Sequence, residues 1–172
     1  MEFGLAVTID DSESLPRVWA KDRIVDLYNY LVWSGVEICG WNINHFDIPV
    51  IINNAKKAGW NVLEIEHETI QTFDMFAEIR KHTGRWYGLG VVSEATLGRS
   101  KLADGQLAAE WLRSDDAADF QKAVEYCTSD VEIVRAMYEA WLDAAPIVLP
   151  PRIDRGELNA INWWHYGGFE RV

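Results

Sequence analysis

Asp47, Tyr126 and Asp130 are the residues of this chain whose types and spacing can do chemistry. Asp47 closes the polar segment 42–47, which follows an apolar stretch that predicts a strand. Tyr126 and Asp130 are four residues apart, so on a helix they stand one above the other on the same face. Carboxylate oxygens are the ligands that Mg²⁺ and Mn²⁺ prefer. A strand end and a helix face that meet here would bring two such ligands next to a tyrosine hydroxyl.

Each aspartate also has a purely structural interpretation. Asp130 interrupts an apolar helix face that includes Ala123, Ile133 and Met137. A carboxylate placed there must be protonated, ion-paired, multiply hydrogen-bonded or bound to a metal. Asp47 fits a helix N-cap, worth about 1 kcal/mol. It also lies past the carboxyl end of a predicted central strand, where open α/β sheets place their sites.

The elements that must position these residues follow from hydrophobic spacing and turn residues. Strands are predicted over residues 3–9, 17–20, 36–41 and 62–65, the first two forming a hairpin. Helices are predicted from Asp22, as a cap, to Gly35, then over residues 47–59, 74–81, 89–97, 106–112 and 115–142. Asp74 is expected to cap its helix. This order predicts an α/β fold, with a mixed sheet flanked by helices.

Length and composition predict one sizeable folded domain. The chain has 172 residues, of which 49% are hydrophobic, and nine are Trp. We expect a domain over residues 1–145 and a Pro/Trp-rich extension over residues 146–172 that packs on it. No run of eighteen apolar residues and no signal peptide occurs, so the prediction is a cytoplasmic protein that does not enter a membrane. Cys39 and Cys127 are expected to be buried free thiols.

The net charge of −11 argues against a protein that coats nucleic acid, because such binding rests on Lys and Arg. An enzyme that binds the end of a nucleic-acid strand through metal ions needs only a local basic patch. Two candidates occur, around residues 80–85 and at Arg99 with Lys101. The first also fits a solvated helix end, where the helix dipole favours cations.

Three segments together resemble a known family. They are N-x-x-x-F-D over residues 42–47, L-x-x-V-x-x-A-x-L-G over residues 89–98, and Y-x-x-x-D over residues 126–130. The combination is similar to the DEDD superfamily of 3′–5′ exonucleases, and the tyrosine to its DEDDy branch, over residues 4–141. The resemblance implies a ribonuclease H-like fold in which four carboxylates hold two Mg²⁺ or Mn²⁺ ions. It implies hydrolysis of phosphodiester bonds at single-stranded DNA or RNA 3′ ends.

The resemblance also implies residue roles. Asp47 and Asp130 would be the metal ligands of the second and third motifs, and Tyr126 would orient the attacking water. Asn42 and Phe46 would shape the pocket beside the terminal nucleotide. Lys101 is a candidate for contact with the nucleic-acid backbone.

The first motif of the family, D-x-E on a central strand, is the difficulty. Only Asp11 and Glu13 match the D-x-E pattern. The strand before them corresponds, by its position in the strand order, to the second strand of the family and not to the first. We therefore expect a sheet without the usual first central strand. An unpaired interior edge invites pairing with another chain, which predicts a homodimer or a rearranged sheet.

Two other functions stay open on the sequence. The chain can be a catalytically degenerate ribonuclease H-like module that binds nucleic acid or a protein, because fold does not imply function. It can also be a metal-dependent hydrolase of small phosphate esters. The sequence does not distinguish DNA from RNA.

Overall fold

The computed structural model describes residues 1–13, 15–62, 69–103, 105–143, 145–149, 153–154 and 157–158. The strands are β1 Leu5–Thr8, β2 Arg17–Ala20, β3 Ile38–Gly40, β4 Thr72–Asp74, β5 Ile153–Asp154 and β6 Glu157–Leu158. The helices are α1 Ile24–Trp33, α2 Asp47–Lys57, α3 Met75–Thr83, α4 Leu89–Leu97, α5 Gly105–Trp111 and α6 Ala117–Leu142. None of the helices in these ranges is long and apolar enough to cross a membrane.

The first four strands form two pairs. β1 and β2 are antiparallel, with Leu5 opposite Ala20, which confirms the predicted hairpin. β3 and β4 are parallel, with Ile38 opposite Thr72, as the continuous apolar run of β3 indicated. The two short strands β5 and β6 pair only with each other in the described part of the chain.

Two hydrophobic clusters lie on opposite faces of β3, because successive side chains of a strand point to opposite sides. Ile38 contacts the first cluster, which is built largely from α1 and α2. Cys39 contacts the second, which holds residues of α3, α4 and α6. The chain is therefore layered, with helices on both sides of the strands.

The long helix α6 contacts both strand pairs. It packs against β1 and β3. The Arg135 guanidinium lies 3.4 Å from Asp11, just after β1, and the Tyr138 hydroxyl lies 3.4 Å from Glu37, just before β3. Since Arg135 and Tyr138 are neighbours on the helix surface, the carboxyl end of β1 and the amino end of β3 lie near the same part of α6. Among the described residues no strand pairs with the second edge of β1 or of β3, which agrees with the expected absence of a central strand.

The sequence misplaced the start of α1. Residues Lys21–Arg23 form a 3₁₀ turn, and Arg23 occupies the cap position of α1 without a side-chain hydrogen bond. The predicted Asp22 cap is therefore wrong.

Two predicted segments cannot be compared with the structure in full. The predicted strand over residues 62–65 lies, apart from Val62, outside the described residues, and so does most of the Pro/Trp-rich extension. Ile147 and Leu149 are buried in the cluster around α6. The division into residues 1–145 and 146–172 stays a prediction.

Candidate active site

A sharp turn at the carboxyl end of β3 begins the site. A Cβ atom added to Gly40 would lie 2.1 Å from Cγ2 of Ile43, so only glycine allows the chain to fold back this closely. Asn42 follows with a φ of 60°, a left-handed conformation that Asn adopts more readily than most residues. We call residues 42–47 the site loop, because they lead from this turn to Asp47.

Asp74, at the end of β4, holds the site loop in place. Its carboxylate accepts hydrogen bonds from the backbone N–H groups of Asn42 at 2.8 Å, Asn44 at 3.1 Å and Ala77 at 3.2 Å. The bond from Ala77 caps α3, which confirms the predicted cap. Asp74 is only 4% exposed, and these three donors compensate the burial of its carboxylate. One side chain thereby joins the site loop to α3.

Asp47 is the first residue of α2. Phe46 occupies the N-cap position, and no side chain caps the helix, so the predicted cap role of Asp47 is wrong. Asp47 is exposed as a residue, yet the surrounding protein desolvates its carboxyl group and raises its pKa to about 6. The charge of Asp74 adds to this rise in pKa, while the backbone N–H of Asp47 opposes it. The carboxyl group is therefore left free of capping and faces a second negative charge.

Asp130 is ion-paired on α6. The Lys101 ammonium lies 2.7 Å from Oδ2 of Asp130. Oδ1 of Asp130 is buried and has no hydrogen-bond partner among the described residues. Of the compensations open to this aspartate, the structure uses the ion pair with Lys101 and a side-chain hydrogen bond with Tyr126, and neither reaches Oδ1.

Lys101 also contacts Tyr126, with its Nζ 5.0 Å from the centre of the ring. Desolvation lowers the pKa of Lys101, but its hydrogen bonds to Asp130 and Tyr126 outweigh this effect and leave the pKa raised. Burial raises the pKa of Tyr126, and the Asp130 charge adds to this, while Lys101 opposes it. Lys101 and Tyr126 are therefore charged and neutral, respectively, at neutral pH.

The thiol of Cys127 lies within electrostatic range of both Asp130 and Asp47. Burial raises the pKa of Cys127 to about 11, and the charges of Asp130 and Asp47 raise it further. Because both aspartates act on one group beside Tyr126, the tertiary structure brings the site loop to this face of α6. Both Cys127 and Cys39 are free and half-buried.

The candidates for the first motif lie in the hairpin turn between β1 and β2. The Asp11 side chain is 93% exposed and faces Arg135, while Glu13 pairs with Arg17. Within the described residues, no three His, Cys, Asp or Glu side chains form a group that could hold a metal ion. The metal-binding role of Asp11 and Glu13 stays a prediction.

The donors that are present suit one hard divalent cation. Asp47 and Asp130 offer carboxylate oxygens, and Oδ1 of Asp130 is a buried acceptor to which no described residue donates. They fall short of the four carboxylates that a two-ion site of the expected kind uses. Lys101 already supplies one positive charge at this position.

The candidates for substrate contact lie on both sides of Asp47. Asn42 has a buried side-chain oxygen without a partner in the described part of the chain, and Phe46 is 45% exposed. Lys101 faces Asp130 rather than open solvent, with 28% of its side chain exposed.

Two contacts that build the site were missed from the sequence. Asp74 binds a loop some 30 residues earlier, and Lys101 binds a helix 29 residues later. No local pattern encodes either contact, because each joins residues from different elements. The close approach at Gly40 left one signal, a glycine directly before the predicted site loop.

Comparison with protein families identifies the class. Residues 9–142 match the family described as the RNase_H superfamily, so the chain belongs to that superfamily. The comparisons with curated proteins and with solved structures give no significant match. The predicted ribonuclease H-like α/β fold is thereby confirmed, and membership supports a nuclease-type module.

Proposed function

We propose that this protein is a 3′–5′ exonuclease of the DEDDy type, which hydrolyses phosphodiester bonds at single-stranded DNA or RNA 3′ ends. The observation that carries the proposal is that Oδ1 of Asp130, one helical turn from Tyr126, is buried and without a partner in the described structure, while the charges of Asp130 and Asp47 both act on Cys127. A purely structural aspartate in this position would have both oxygens bonded, as Asp74 has.

Asp47 and Asp130 are the residues that would hold Mg²⁺ or Mn²⁺ in this enzyme. When bound, such ions activate water and stabilise the charge that develops on the phosphate. Tyr126 stays protonated at neutral pH, because its pKa is raised, and its hydroxyl can donate a hydrogen bond to the attacking water. Asn42 and Phe46 border the terminal nucleotide. Lys101 reaches a phosphate only by leaving Asp130.

We further propose that the open edges of β1 and β3 are the contact surface of a homodimer. Each edge presents unpaired backbone groups, at least within the described residues, and both edges lie on α6. Sedimentation equilibrium tests this point: a monomer at all concentrations would overturn it, without affecting the assignment of the site.

The direct test of the exonuclease is hydrolysis of a 3′-labelled single-stranded oligonucleotide with Mn²⁺. Asp47→Ala and Asp130→Ala are each expected to lower the rate about a hundredfold or more, because each removes a proposed metal ligand. Asp22→Ala is the matched control, since Asp22 is an exposed aspartate in the 3₁₀ turn before α1. Unchanged hydrolysis in both site variants would overturn the assignment.

A second candidate is a ribonuclease H-like module that binds nucleic acid or protein without catalysis. The ion pair between Lys101 and Asp130 favours it, because a tethered cation already neutralises this carboxylate. Calorimetric titration with Mn²⁺ separates the two functions. Two bound ions favour the enzyme, and one weakly bound ion or none favours the module.

A further inference from the structure

An open concavity lies beside the site loop and is not used by the proposed chemistry. Its volume is about 420 Å³, within the range of about 300–1,000 Å³ that small-ligand sites occupy. Its lining residues come from the site loop and from α3 with its carboxyl end: His45, Phe76, Ala77, Arg80, Lys81 and Gly84. We call this concavity the α3 pocket.

The charge of the α3 pocket is opposite to that of the chain. The protein carries a net charge of −11, whereas the lining includes Arg80 and Lys81 and no carboxylate. Glu78 lies outside the lining and pairs with Lys81 at 3.6 Å and with His82 at 3.4 Å. Arg80 has no carboxylate within ion-pairing distance in the described part of the chain. An anionic ligand would therefore meet at least one uncompensated cation here.

An exposed aromatic ring contacts two of the lining residues, Arg80 and Phe76. Trp86 is 51% exposed, and the Arg80 guanidinium lies 4.2 Å from the centre of its ring. Phe76 supports Trp86 with a ring-centre distance of 5.0 Å, and Trp41 supports Phe76 at 6.2 Å. The indole is thus held by a row of aromatic rings, while half of it stays accessible. Fixed rings and guanidinium planes are the surfaces on which unpaired bases stack.

The α3 pocket is joined to the site by a short and rigid connection. His45 lines the pocket and lies two residues before Asp47. Asp74 bonds to the backbone of Asn42 and Asn44 and also caps α3, the helix that carries Arg80. The same loop therefore carries Asp47 and one lining residue of the α3 pocket.

We propose that the α3 pocket binds the single strand a short way upstream of its 3′ end, with phosphates on Arg80 and Lys81 and a base stacked on Trp86. The inference rests on the proposed exonuclease function, because it concerns the part of the same substrate that lies beyond the carboxylates. Cations beside an exposed, supported indole suit a nucleic acid, because each nucleotide offers both a phosphate and a flat base. An acidic peptide would use only the cations.

The test is binding of a 5′-fluorescein oligothymidylate in EDTA, measured by anisotropy at several salt concentrations. Trp86→Ala is expected to weaken binding about tenfold, the usual effect of one stacked base. Arg80→Gln is expected to weaken binding and to lower the slope of log affinity against log salt by about 0.7, the value for one phosphate contact of a single strand. The variants are checked for folding by thermal melting.

Two control variants match these changes elsewhere on the surface. Trp60→Ala removes an indole that is 44% exposed beyond α2, and Lys57→Gln removes an exposed cation at the end of α2. Both are expected to bind the oligonucleotide like the wild type. If Trp86→Ala is unstable, the salt slope of Arg80→Gln decides.

Several results would overturn the inference. One is that both pocket variants bind the oligonucleotide with wild-type affinity, or that the control variants lose as much affinity as they do. Another is that the wild type does not bind the oligonucleotide. A third is that a polyglutamate peptide displaces the oligonucleotide and still binds the Trp86→Ala variant. Because binding is measured in EDTA, this test is separate from hydrolysis. Oligonucleotide binding without hydrolysis would contradict the exonuclease alone, and hydrolysis with unaltered binding in the pocket variants would contradict the pocket alone.

Discussion

Asp74 and Asp130 are two shielded carboxylates near the same site, and their surroundings differ in kind. Asp74 accepts three backbone hydrogen bonds shared between its two oxygens. Asp130 accepts from Lys101 on one oxygen and has no partner on the other among the described residues. Backbone donors cannot leave without unfolding the loop, whereas a lysine side chain can rotate away. Burial alone therefore does not mark a functional carboxylate; an unused oxygen beside a movable cation does.

The difference has a physical origin in where the donors come from. The three N–H groups on Asp74 belong to the site loop and to the first turn of α3, so this aspartate stabilises the fold directly. The ammonium on Asp130 comes from a loop lysine with a flexible stem, whose charge other cations can replace. The same residue type is structural in one region and available for chemistry in the other.

The largest expected effect is on stability, from Asp74→Ala. The variant leaves three backbone N–H groups without their acceptor, and we expect the free energy of unfolding to fall by about 3 kcal/mol in urea denaturation. Asp116→Ala is the matched control, because Asp116 caps α6 through one exposed bond to Ala118; its expected loss is about 1 kcal/mol. Equal losses in the two variants would remove the special role of Asp74.

A smaller effect is expected on metal binding, from Lys101→Met. The variant removes the cation that occupies Asp130 and keeps an apolar stem, so calorimetry should show Mn²⁺ binding about tenfold more tightly. Lys122→Met is the control, since Lys122 forms an exposed pair with Asp119 at 2.8 Å on the same helix. Unchanged or weaker Mn²⁺ binding in Lys101→Met would show that Lys101 does not compete for this site.

A further effect is expected on the pH dependence of stability, to which Asp47 contributes. Its pKa rises from 3.8 to about 6 on folding, so between these values the native state holds a proton that the unfolded chain has lost. The contribution of this group to the free energy of unfolding is largest below about pH 4 and falls as the pH rises to about 6. Above about pH 6 it no longer changes with pH. In Asp47→Asn this dependence is absent. The difference in melting temperature between wild type and variant should therefore change over that range, and a constant difference would contradict the raised pKa.

Local patterns were sufficient for much of the fold. The strand Arg17–Ala20 and the helix Leu89–Leu97 have the bounds that the sequence predicted, because turn residues and glycines delimit them. The continuous apolar run before the site loop correctly indicated a parallel strand. The strand count also led to the expectation of a sheet without the usual first central strand, which stays a prediction.

Capping was predicted less well, because alternatives with similar local patterns compete at helix ends. Asp22, Asp47 and Asp74 each precede or begin an apolar helical pattern, yet only Asp74 caps its helix. At Asp47 the N–H groups in the first turn of α2 already bond to backbone carbonyls of the site loop. Asp74 reaches its donors because β4 pairs with β3, and propensities do not contain that pairing.

The sequence by itself determined the elements, the superfamily resemblance and the identity of Asp47, Tyr126 and Asp130 as candidates, because these depend on spacing within short segments. Only the tertiary structure decided that Lys101 neutralises Asp130, that Asp74 holds the site loop, and that Arg80 lines a pocket with His45. Each of these contacts joins segments about 30 or more residues apart. Their energies depend on distance and burial, and those quantities exist only once the helices have packed on the strands.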